Sequence, residues 1–131
     1  MPNALVLRFE VVGWNPVELS DVDPEWAAAA TMRKSYTAGL IGTGVVHFVS
    51  SGDETSGRAY VAVERVEGIL DDGRRGAFTV QHGALQAPGG VEHFGWVVPR
   101  SGTGDLAALG GAARIQHDEQ GASLVLDDAW T

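Results

Sequence analysis

Glu64 and His82 are the two side chains of this sequence best suited to shared acid–base work. A carboxylate can take up a proton and an imidazole can pass one on near neutral pH, if both reach the same substrate. Burial in an apolar interior raises a glutamate pKa and lowers a histidine pKa, which moves both toward the useful range. Each residue sits in an alternating run. Tyr60, Ala62 and Glu64 share one face of the first run, and Phe78, Val80 and His82 share one face of the second. With both faces inward they make the mixed apolar and polar lining of a small-molecule site. The structural reading stands beside it: Glu64 pairs with an arginine, and His82 caps one end of the fold by hydrogen bonding.

Glu10 is a further candidate base. It shares a face with Arg8, Val12 and Trp14. If that face is inward, Glu10 removes a proton and Arg8 holds an anionic substrate group. The opposite face, with Leu5, Leu7, Phe9 and Val11, is more apolar and is the default choice for a core. Trp14, Tyr60, Phe78 and Trp96 carry flat rings that would hold a hydrophobic ligand, or simply fill the core.

Other chemistries find little support. His47, His82, His93 and His117 lack the spacing of metal ligands, so no metal is expected. Gly102-Thr103-Gly104 has no following lysine, and Asp105 puts a negative charge where phosphate would sit. A tight turn is the plainer reading. Neither Ser35 nor Ser101 lies in a Gly-x-Ser-x-Gly elbow. The 131 residues include no cysteine, which removes disulfides, thiolate metal sites and cysteine nucleophiles. That suits a reducing cytoplasm. The net charge is −8 and the cations are scattered, with Arg33-Lys34 and Arg74-Arg75 the only adjacent pairs. Nucleic acid and anionic membranes are therefore poor partners. Leu5 to Leu7 are followed at once by Arg8, unlike a secretory leader. No apolar run approaches the roughly 20 residues that span a bilayer.

These candidates need elements to position them. The 18 glycines fall between short apolar runs, a pattern of many strands joined by turns. Strands are expected over 4–14, 31–36, 44–49, 58–66, 77–85, 91–98, 113–117 and 122–127. Asp23 as N-cap and Pro24 at the first helical position allow one short helix near 24–30. Eight antiparallel strands in a single domain over 1–131 suggest a closed barrel, which removes exposed sheet edges. A sandwich would show a similar alternation.

Three stretches carry a resemblance. Tyr60-Val-Ala-Val-Glu64-Arg65-Val-Glu-Gly68 leads through a turn to Gly76-Ala-Phe78-Thr-Val-Gln-His82-Gly83. Trp96-Val-Val-Pro99-Arg-Ser101-Gly102-Thr103-Gly104 follows. With Phe9-Glu10-Val11 and Trp14 at the start and Leu124 to Asp127 at the end, the chain resembles the bacterial family called domain of unknown function 3224. That family is similar in fold to plant allene oxide cyclase, an eight-stranded antiparallel β-barrel around a cavity. The resemblance implies a cofactor-independent isomerase or cyclase for a hydrophobic small metabolite, of the kind found in bacterial natural-product pathways. Glu64 or Glu10 would steer charge, His82 would move a proton, and the aromatics would hold the chain. Confinement in a near-attack geometry supplies the catalysis. A non-catalytic barrel that carries a small apolar ligand is the second expectation, and a filled structural or stress-related oligomer is the third. A homodimer or homotrimer is expected, with outer faces such as Leu124-Val125-Leu126 as the contact.

Overall fold

Alternation of apolar and polar residues decides the inside of this molecule. The computed structural model describes residues 4–23 and 25–130. Eight strands run in chain order: β1 Leu5–Val17, β2 Ala28–Ala38, β3 Leu40–Asp53, β4 Gly57–Leu70, β5 Arg75–Ala87, β6 Gly90–Val97, β7 Ala112–Asp118 and β8 Gly121–Asp127. Each pairs antiparallel with the next, and β8 returns to β1, closing the barrel. Closure satisfies both sheet edges. Among the described residues no helix is long and apolar enough to cross a membrane.

The expected helix near 24–30 does not form. The Asp23 carboxylate accepts the Glu25 amide at 2.9 Å, and the Asp23 carbonyl accepts the Trp26 amide at 3.0 Å. That single turn delivers the chain to β2, so Ala28 to Ala30 are strand. Pro24 lies outside the described residues. Pairing across β2 and β3 outweighs the helix propensity of the alanines. Among the described residues the one helical element is a 3₁₀ turn, Gly104–Leu106.

Inward positions divide by height. At one end Leu7, Tyr36, Leu40, Val66, Leu70, Phe78, Leu124 and Leu126 pack into a single apolar cluster. The β6–β7 connection closes this end by inserting Leu106 and Leu109 into the same cluster. Below its pairing with β6, β5 would present a bare edge. The connection covers it. The Thr103 hydroxyl accepts the Ala77 amide at 3.0 Å, and the Ser101 hydroxyl accepts the Thr79 amide at 3.0 Å. The Ser-Gly-Thr-Gly segment is thus a staple: its two hydroxyls take the place of strand carbonyls. Gly104 turns the chain at φ +57°, where an added Cβ would sit 2.8 Å from the Arg75 carbonyl oxygen.

The outer surface has an apolar area of its own. Val49, Val61, Val63, Leu85, Phe94 and Trp96 are exposed on β3 to β6. Leu124, Val125 and Leu126, the residues expected to supply an outer contact, are instead buried. Leu124 and Leu126 point into the core.

Candidate functional site

Glu64 sits midway along β4 on its inward face, completely buried. A carboxylate there is costly unless it is paired and hydrogen-bonded. Side chains from two other strands, β2 and β5, engage it. Lys34 of β2 places Nζ 2.8 Å from Oε1. Tyr36, two residues on and so on the same face, donates its hydroxyl to Oε2 at 2.5 Å. His82 of β5 brings Nε2 to 3.2 Å from Oε1. Lys34 and His82 are themselves only 3% and 4% exposed. Gly44 of β3 makes the room: a Cβ there would lie 2.6 Å from Glu64 Oε2 and 3.0 Å from the Tyr36 ring.

The bonds assign the tautomer. An ionised carboxylate only accepts, so His82 Nε2 carries the hydrogen toward Glu64. In the neutral ring Nδ1 is then an acceptor, and the Tyr60 hydroxyl lies 3.1 Å from it. A chain of contacts therefore runs Glu64, His82, Tyr60. It shares the logic of a carboxylate that orients an imidazole, which in turn serves a hydroxyl.

Charge states follow from surroundings. Desolvation pushes Glu64 up, but donors from His82, Lys34 and Tyr36 outweigh it and hold the carboxyl below its ordinary range. Burial pulls Lys34 below its ordinary value, against the attraction of Glu64. Tyr36 is pushed well above its ordinary value, first by burial and then by the Glu64 charge. Tyr60 is pushed up to about 12 by the same two causes. Both phenols keep their protons.

Above this cluster the barrel is open. A cavity of about 200 Å³ is lined by Phe9, Val11, Met32, Lys34, Val46, Phe48, Tyr60, His82, Ile115 and His117. It adjoins a wider mouth of about 650 Å³ through Phe48, Tyr60 and His117. Trp14, Arg58, Gln86 and His93 line that mouth. Phe48 stacks on Tyr60 at 5.0 Å and meets Trp14 edge-on at 5.5 Å between centroids. The Lys34 ammonium lies 3.8 Å from the Phe9 ring centroid, a cation–π contact. Among the described residues no three His, Asp or Glu side chains are grouped to hold a metal.

The structure brings Glu64, His82 and Tyr60 together. Trp14 joins them at the mouth, although simple alternation places it with Glu10. The reason is a β-bulge: Val11 opposes Lys34 but Gly13 opposes Arg33, so Val12 is the extra residue and the face switches beyond it. Glu10 and Arg8 precede the bulge and point outward. Glu10 is exposed, and Arg8 holds Asp118 through bonds of 2.8 and 2.9 Å. Neither reaches the cavity. Trp96, 56% exposed, also faces out, over a groove between β6 and β7. Phe78 faces inward but lies wholly within the packed end. Lys34 and Tyr36 were missed. Their signal was an inward alternation, Met32, Lys34, Tyr36, containing the chain's one lysine.

Fold and site together define a closed antiparallel barrel, packed at one end and hollow at the other, with a buried ionic cluster at the boundary. The chain belongs to the DUF3224 family, described as protein of unknown function, whose family model matches residues 7–127. A solved structure of a DUF3224 protein of unknown function from Shewanella oneidensis MR-1 is similar, with a TM-score of 0.82. The match covers 97% of this chain and 96% of that one at 23% identity, a likeness of fold. No curated protein matches the chain. These comparisons carry the family and the barrel, and leave the likeness to allene oxide cyclase untouched.

Proposed function

We propose that the open end takes up a compact hydrophobic small molecule and isomerises or cyclises it by proton transfer, without a cofactor. One observation carries this reading: the Tyr60 hydroxyl lines the cavity while bonded to a buried imidazole that Glu64 holds in place. Tyr60 resists ionisation, so it relays rather than stores charge. As it accepts a proton from the ligand it passes its own to His82 Nδ1, and the reverse movement returns the proton to another atom. Glu64 stabilises the imidazolium that forms between these steps. Such positioned proton transfer supplies roughly 10²–10⁴-fold in rate. The apolar walls from Phe9, Val11, Val46 and Ile115 hold the carbon skeleton.

A carrier without catalysis is the second reading. It is favoured by the position of Glu64, which is fully buried with both oxygens already bonded to Lys34, His82 and Tyr36. Native mass spectrometry of protein purified from its own host, with identification of any bound molecule, tests the cavity. Incubating that molecule with wild type and Tyr60→Phe separates the readings. An enzyme converts it, and Tyr60→Phe keeps the ligand but loses about 10²-fold or more in turnover. A carrier returns it unchanged. An empty protein whose crystal structure shows side chains filling the cavity overturns both.

Self-association belongs to the same proposal. A homodimer or homotrimer would use the exposed Val61, Val63 and Phe94 area. Light scattering on wild type and Phe94→Glu measures it directly.

A further inference from the structure

Of the nine lysine and arginine residues in the chain, Lys34 is the one lysine. It is also the cation buried inside the barrel, while its neighbour Arg33 points out to solvent. The distinction is chemical. A guanidinium stays protonated in proteins, whereas an ammonium can release a proton and become a nucleophile. Lys34 lines the 200 Å³ cavity, and its nearest partner is a carboxylate oxygen at 2.8 Å, within direct reach of its proton.

We propose that Lys34 Nζ forms a Schiff base with an aldehyde or ketone held in the cavity. The proposal rests on the ligand-binding reading above and names its substrate class, a carbonyl compound.

The step balances within the site. The ammonium gives one proton to Glu64 Oε1, leaving a neutral amine and a carboxylic acid. The amine lone pair attacks the carbonyl carbon, and the nitrogen's second proton passes to the new alkoxide. Glu64 then returns its proton to the hydroxyl, which leaves as water while the nitrogen lone pair closes the C=N bond. The net change is ammonium plus carbonyl to iminium plus water. One positive charge stands at Nζ before and after, so the Glu64 pair and the Phe9 ring that stabilise the cation serve the product equally. Burial also weakens the hold of Lys34 on its proton, which favours the first transfer.

The test uses the full chain with trans-cinnamaldehyde and sodium cyanoborohydride at neutral pH. Intact mass and peptide mapping then locate the reduced adduct. The chain's α-amine is the internal reference, and the same reaction in urea gives the rate for an unstructured Lys34. In parallel, calorimetry measures binding of cinnamyl alcohol, a probe of the same shape with no carbonyl. The expected result is labelling at Lys34 at least about tenfold faster in the folded protein than in urea. Lys34→Arg should label at the α-amine alone. Labelling of Lys34 no faster than in urea, with cinnamyl alcohol still bound, overturns the Schiff base and leaves the cavity reading intact. Failure of the alcohol to bind and of the aldehyde to label overturns both. The rate comparison needs no variant, so it stands even if Lys34→Arg does not fold.

Discussion

The two ends of this barrel use the same eight strands for opposite purposes. At the packed end, Leu7, Leu40, Val66, Phe78, Leu124 and Leu126 meet across the axis, and Leu106 plugs the opening. At the open end, the inward positions are Trp14, Phe48, Tyr60, His93 and His117, which leave a cavity and a mouth. Between them lies the ionic cluster of Lys34, Tyr36, Glu64 and His82. An eight-stranded barrel is just wide enough either to be filled or to hold one small ligand. This molecule is filled at one end and leaves a cavity at the other. The packed end supplies the stability that lets the open end forgo packing.

The strongest way to break that contrast is to truncate one aromatic at each end. Phe78→Ala leaves a hole in a sealed core and should cost about 3–5 kcal/mol. Trp14→Ala removes a half-exposed ring whose main contact is the edge of Phe48, and should cost about 1 kcal/mol. Urea unfolding of both measures the difference. Equal losses would mean that the mouth is part of the core.

The boundary cluster offers the next test. Glu64→Gln leaves Lys34 buried without a counter-charge and should cost about 3–5 kcal/mol at neutral pH. Its pH dependence has a definite sign. Glu64 is held below its ordinary value of 4.5, so its contribution is complete above that value and is lost as pH falls through the lower folded value. The gap between wild type and Glu64→Gln should therefore narrow below pH 4.5. The groups facing Glu64 are Lys34, Tyr36 and His82, and the first two stay protonated throughout that range. A constant gap from neutral pH to strong acid would show that the carboxylate charge is not what holds the cluster.

A smaller effect sharpens the picture of how the cluster fits. Gly44→Ala drives a methyl between Glu64 and Tyr36 and should cost about 1–3 kcal/mol through overpacking. The Tyr36 ring then tilts away from the carboxylate, which near-ultraviolet circular dichroism would detect. No loss and an unchanged spectrum would mean that β3 yields freely at this point.

Much of the barrel was legible in the chain because a strand's alternation is local. All eight expected strands exist, each longer at one or both ends than its apolar core, since turns such as Asp53–Ser56 begin where the Asp53 carboxylate caps amides and not where apolar residues stop. Glu64, Tyr60 and His82 converge as their alternation implied. Lys34 and Tyr36 were not legible as their partners. Their meeting with Glu64 depends on the registers of β2 with β3 and of β3 with β4, which no single stretch contains.

Alternation, which the sequence determines by itself, assigns each side chain to the inside or the outside of a strand. It cannot assign height along the barrel axis. Phe78 and His82 share a face, yet at roughly 3.3 Å per residue they stand about 13 Å apart, one deep in the packed core and one beneath the cavity. It also cannot register one extra residue, and the bulge at Val12 turned Trp14 inward. Height and bulges are set when strands pair, because hydrogen bonds between distant segments select one stagger. Whether a residue in this protein is core or site was therefore decided only in the closed barrel.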